Sequence, residues 1–306
     1  MGNLVPALRV LSAALSDTSY AFFIGACLAL YWLRGGGVDH PQKDRAVSGF
    51  VLKRLGIVCL ACLIVCHVVH PWFVASSMSG STQFRPTLTL VPTILSSTRQ
   101  GAIWYTNSIA LAILLGIQFL NGNRAGSAAS WVSASALCVL AATKAASSHA
   151  SEQGDFSLAE IAQFVHLLAT SVWAGAIVVS GFLVAPRMLA NRAVPALWSY
   201  GKTLSRTVTW ALIILVLSGL YVAWSDMHRT FRVLWSSQWG AILLTKASLA
   251  GIAVILGGFN RLRCLGRPAS SDGAGIMAKL LRAEAFVMIA ILCLSSALGN
   301  SNPGVE

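Results

Sequence analysis

Acidic side chains are scarce in this chain: ten Asp and Glu among 306 residues, against 22 Lys and Arg. Charge of either sign is thin, at 10% of residues, and the mean hydropathy is +0.71. These shortages exclude an ordinary soluble domain. No Ser-His-Asp arrangement, phosphate loop or H-E-x-x-H is present, so hydrolysis of the soluble type has no support. Methionine is sparse on the side that matters below, where only Met78 and Met227 fall. The seven cysteines (27, 59, 62, 66, 138, 264 and 293) sit mostly in or beside apolar runs and do not read as a disulfide framework.

What the chain does have is long apolar runs. A membrane-crossing helix needs about 20 mostly apolar residues. Eight such runs occur, near Thr18–Leu33, Phe50–Val69, Ser97–Leu120, Trp131–Ala146, Phe156–Ala185, Ser205–Asp226, Trp239–Phe259 and Leu281–Leu298. They predict an all-α polytopic membrane bundle of eight spans. The first run lacks the charged start and small-residue cleavage site of a signal peptide, and Asp17 interrupts it, so it is expected to be a retained helix. The connection Pro71 to Ser96 is the longest, rich in Ser, Thr and Pro, and is expected to be either a lid or a plain polar connector.

Basic residues orient the bundle. Loops one, three, five and seven carry most of them, from Arg34 to Arg54, at Arg124, from Arg187 to Arg206 and from Arg261 to Arg282. By the positive-inside rule those loops are cytoplasmic and both termini face outward. Trp72, Trp104, Trp224, Trp235 and Trp239 mark outer ends and Trp32, Trp131 and Trp198 inner ones, with Trp173 inside a span. The net charge of +12 then reports topology and affinity for anionic membrane lipid, and no nucleic acid is needed to explain it.

Five of the six histidines fall at the outer ends of spans. His67 and His70 close span two, His149 closes span four, His166 lies two to three turns into span five, and His228 follows span six; His40 alone is cytoplasmic. Imidazoles delivered by several helices to one layer can converge on a metal or cofactor. Singly, each has a plainer explanation as an interfacial side chain, and His70 and His228 suit that best. His166 needs a partner or water at its depth. Trp173 shares its helical face, with Thr170 between them and Gly175 admitting a close neighbour. Span two also carries Cys59, Cys62, Cys66 and His70 at i, i+3, i+7 and i+11, one narrow stripe. Such a ladder suits Cu(I), a soft ion; cysteine as a small apolar filler is the alternative. Lys246 and Glu284 are the remaining ionisable groups within spans. Lys246 is expected to snorkel or meet Asp226, and Glu284 to join an ion pair at the inner rim with Arg282, Lys279 or Arg261, with a proton-linked role as the other reading.

From residue 140 to 303 the chain resembles the copper resistance protein D (CopD) family. The likeness rests on S-H-A at His149, H-L-L-A-T-S-V-W-A-G (His166, Trp173, Gly175), L-S-G-L-Y-V-A (Ser218, Gly219), W-G-A-I-L-L-T-K (Gly240, Lys246), G-G-F-N-R-L-R (Asn260, Arg261) and L-R-A-E-A (Arg282, Glu284). The first 130 residues match only in helix count. That suggests N-terminal membrane helices over 1–130 and a CopD-like membrane domain over 131–306. The resemblance implies a bacterial inner-membrane copper-handling protein, loaded by a separate periplasmic carrier of the CopC type. On this reading copper is the cargo, of either valence, and His149 and His166 form the outer site. His67 or His70 assist, the acidic pair Glu152 and Asp155 concentrates cations there, and the cysteine stripe leads inward. Trp173, Lys246 and Glu284 are candidates for lining a cofactor or substrate path. A transporter is expected rather than an enzyme. The alternative is a b-type haem oxidoreductase with one outer haem held by two histidines. A pair of haems stacked across the membrane is excluded, because the inner half supplies no helical histidine.

Overall fold

The computed structural model describes residues 4–34, 42–120, 127–227, 232–266 and 269–301, with the side chains of 42–48, 120, 127 and 152 outside that description. His40, His228 and Arg124 lie outside the described residues. The described chain is helical and contains no strand. Its helices are α1 (Leu4–Arg34), α2 (Gln42–Ser79), α3 (Phe84–Leu88), α4 (Val91–Ser97), α5 (Arg99–Leu120), α6 (Ser127–Ala146), α7 (Leu158–Val179), α8 (Ala185–Ala190), α9 (Val194–Asp226), α10 (Val233–Ser236), α11 (Gln238–Asn260) and α12 (Ser271–Leu298). Seven helical stretches, all but α12 among the long ones, are long and apolar enough to cross a membrane. The eighth expected run falls within α12, which is 28 residues long and carries Lys279, Arg282 and Glu284. The protein is therefore an all-α polytopic membrane bundle.

α7 is its axis. From Ala169 to Gly181 every residue but Val172 is buried, and α1, α6, α9 and α12 pack around it. The outer faces of the surrounding helices show Leu217, Leu220, Ile255 and Phe286 to the lipid. Lipid is as apolar as leucine, so helices associate here through close contact between small residues. Gly175 of α7 meets Ala21 and Gly25 of α1: a Cβ on Gly175 would stand 1.9 Å from the Ala21 carbonyl oxygen, and one on Gly25 would stand 2.1 Å from that of Gly175. Gly175 thus admits a close neighbour, as its sequence context predicts, and the neighbour is the N-terminal helix. A second core joins α1, α2, α5 and α6 through Phe23, Leu60, Leu114 and Leu137, pinned where the Tyr20 hydroxyl donates to the Leu137 carbonyl at 2.7 Å.

Helix ends follow local chemistry. α7 starts at a capping box in which Ser157 Oγ accepts from the Glu160 N–H at 3.2 Å and the Glu160 carboxylate accepts from the Phe156 N–H at 2.7 Å. Ser237 and Ser270 cap α11 and α12. At its far end α7 widens into a π turn, Ser180–Val184, ahead of Pro186, and Ser180 bonds the Tyr200 hydroxyl at 2.8 Å in the core. α11 ends in a similar turn, Arg261–Leu265.

The long connection after Val69 is largely helical: α2 runs past the expected end of its span, through Pro71 to Ser79, and the chain returns through α3 and α4. The corner is held from within, because the Ser81 carbonyl accepts from Ser76 at 2.7 Å and from the fully buried Thr87 at 3.3 Å.

Candidate functional site

The outer histidines sort by the helix that grips them. His166 projects from α7 toward α9, half-buried, with its Nδ1 3.4 Å from Ser218 Oγ. Gly219 makes room for the ring, since a Cβ there would come within 2.8 Å of Cε1 and 3.0 Å of Nδ1. One turn below, Thr170 donates to the His166 carbonyl at 2.8 Å. Lys246 of α11 lies within electrostatic range of His166. It interacts with Lys144 of α6 and, as expected, with Asp226. Lys144 pairs with Asp17 of α1, whose other oxygen accepts from Ser296 of α12 at 2.8 Å. Asp17 and Asp226 thus offset two ammonium groups that would otherwise repel a cation near His166.

His149, itself exposed, opens a 3₁₀ turn, His149–Gln153, that rests on α6, α7 and α9 at the same end of the bundle. Gln153 ties this turn to α9 by donating to Ser225 at 2.6 Å. Asp155, expected to gather cations, forms an ion pair with Arg99 at 2.6 Å, which cancels much of its field.

His67 belongs to a different helix pair. Its ring stacks on Trp104 of α5, centroids 4.8 Å apart and planes 12° from parallel, and its Nε2 lies 2.8 Å from Ser108 Oγ. Ser108 also donates to the Trp104 carbonyl at 3.0 Å. Ser108 Oγ is thus shared between the Trp104 carbonyl and His67 Nε2. Pro71 explains the contact. Lacking an N–H, it leaves the His67 carbonyl four residues back without its helical partner, and the Trp104 indole N–H supplies one at 3.0 Å. Trp104→Phe keeps the stack but orphans that carbonyl, so it is expected to cost about 1–3 kcal/mol, read as a lowered thermal midpoint in detergent.

His70 is exposed one turn on, with Arg9 of α1 and His67 as electrostatic neighbours. The cysteine stripe faces α1: Cys59 and Cys66 are buried, Cys62 half-buried, Cys66 meets Ser12, and Cys59 has Cys27 nearby. Cys27 was not a candidate from spacing, because its relation to the stripe is across helices. Among the described residues, no three of His, Cys, Asp or Glu are grouped closely enough to hold a metal ion.

Toward the other end, α7, α9, α11 and α12 border a partly open cavity of about 170 Å³. Trp173 and Glu284, each 2% exposed, line it with Asn260 and Arg261. Glu284 makes no ion pair among the described residues, contrary to the expected pairing at the rim; it sits beside Gly257 and faces the Trp173 indole, while Arg261 donates to Thr209 at 2.9 Å.

A polytopic all-α membrane protein with imidazoles layered at one end is the class that fold and site define. Family comparison makes it specific. The model of the copper resistance protein D-like N-terminal domain matches residues 4–158, and that of copper resistance protein D matches residues 201–298. The chain belongs to the copper resistance protein D family. It is similar to the copper transport protein CutJ of Bacillus subtilis (strain 168), 26% identical over 298 residues, covering 95% of this chain and 52% of that protein. The chain thus spans about half the length of that curated relative. No solved structure matches it. The N-terminal match extends the likeness to helices whose sequence suggested it only by their number.

Proposed function

We propose that this protein carries copper across a bacterial inner membrane, accepting it on the face opposite the basic loops. His166 is the entry ligand and His149 the mouth above it. The observation that carries the reading is the setting of His166: an imidazole on the central helix, backed by Ser218 and given space by Gly219, within a family named for copper. His67 and His70 serve as auxiliary ligands toward α1, where Cys66, Cys62 and Cys59 offer soft donors farther in. Both termini face the periplasm, and the donor is a separate periplasmic carrier of the CopC type.

Elemental analysis and a visible spectrum on the same untagged sample test this. Copper at a fixed stoichiometry that drops in the double variant His149→Ala/His166→Ala is the expected result. A strong Soret band would establish the haem alternative, and equal copper in wild type and variant would remove the site.

A further inference from the structure

We propose that the cavity at the basic-loop end is a proton site, in which Glu284 exchanges a proton through water with the cytoplasm, and that this exchange is coupled to copper movement. The coupling rests on the copper reading above; the proton site does not.

The geometry supplies a partner for each state of the carboxyl. Trp173 Nε1 and Asn260 Oδ1 are both buried and have no hydrogen-bond partner among the described residues. The indole faces Glu284 without closing a bond of normal geometry. An N–H donor suits the carboxylate, and an amide oxygen suits the O–H of the acid or of a water between them. Two orphaned groups of opposite character flank one carboxyl in a mostly apolar cavity that has room for water, and water there would satisfy both. The same donor set is poor for copper: hard oxygens, no imidazole, no sulfur, and an N–H whose positive end faces the carboxyl. Gly257 keeps the carboxyl free, since a Cβ there would stand 3.2 Å from Oε1.

The lining reaches toward the basic-loop side. Ser205 and Thr209 of α9 line the cavity, as do Arg261 and Leu265 of the π turn ending α11 and Met277 of α12. Among the described residues Arg261 is the one other charged group on its lining, and it is turned to Thr209 rather than to Glu284. Lys279 and Arg282 share α12 with Glu284, and among the described residues α7 and α9 bring no charged group to the lining. The step is a proton transfer alone: the Glu284 carboxylic acid gives its proton to water, leaving carboxylate and hydronium, and reverses.

Infrared difference spectra of the full chain in lipid vesicles, stepped in pH, provide the test. Expected is a protonated-carboxyl band that titrates, shifts in D₂O within minutes, vanishes in Glu284→Gln and persists in Glu160→Gln. A wild type without the band, or a band that survives Glu284→Gln, overturns the proton site, and the wild-type arm holds even if the variant misfolds. For coupling, vesicles carrying an internal pH dye receive copper. Glu284→Gln should lose roughly ten-fold or more of the copper-driven pH change that Glu160→Gln keeps, and an unchanged pH signal in Glu284→Gln overturns the coupling. Wild type that shows the band but takes up no copper sinks the copper reading and the coupling, and leaves the proton site standing.

Discussion

His166→Ala is expected to abolish copper accumulation by cells that overproduce the protein, whereas His228→Ala and His40→Ala leave it near wild type. His166 differs from the other histidines in its support. It stands on the central helix α7, against a serine and over a glycine. Removing an outer-shell partner of a metal ligand costs about 10–100-fold in affinity or activity, so Ser218→Ala should lose roughly ten-fold and His166→Ala more. Gly219→Ala tests position without removing a ligand. Its methyl would stand 2.8 Å from the ring, so the imidazole must move, and uptake should fall although every histidine remains. Uptake by metal analysis of washed cells, normalised to membrane-inserted protein, reads all five variants. Equal loss in His166→Ala, His228→Ala and His40→Ala would mean a folding defect and end the assignment.

The helices were legible because a span must be a long apolar run, and composition alone reveals it. The course of the chain after Val69 was not. Pro71, followed by serines and threonines, reads locally as a break, yet α2 continues because Trp104 satisfies the carbonyl that proline orphans. That partner lies 37 residues away. The pairing of Asp17 with Lys144 spans 127 residues and left no local signal beyond two costly charges in apolar runs. His166 and Trp173 were recognisable as one face from their spacing. That the face ends on a cavity with Glu284 and Asn260 was not, because three other helices build it. Spacing within a helix is readable from sequence, while the neighbour across it is chosen by packing.

Gly175→Val is expected to have the largest effect on folding, eliminating monodisperse protein after detergent extraction. The added atoms would fall on the Ala21 carbonyl of α1, with backbone on both sides, so no rotamer relieves the clash and the helices must part. Overpacking of an ordinary core costs about 1–3 kcal/mol. Here the cost should exceed that, since close approach is itself what holds helices together in lipid. Gly25→Val attacks the same crossing from α1, where its Cβ would stand 2.1 Å from the Gly175 carbonyl oxygen, and should behave alike. Gly116→Val and Gly251→Val are the controls, because nothing lies within 4 Å of a Cβ at either position. Size-exclusion profiles of the four variants decide the matter: a sharp peak for Gly175→Val would mean that α1 does not pack on α7 as described. Gly175→Ala refines it, because a single methyl should separate the helices enough to loosen Ala169–Gly181 while the protein still inserts. Since His166 and Trp173 ride on that same helix, copper uptake should then fall more steeply than protein yield.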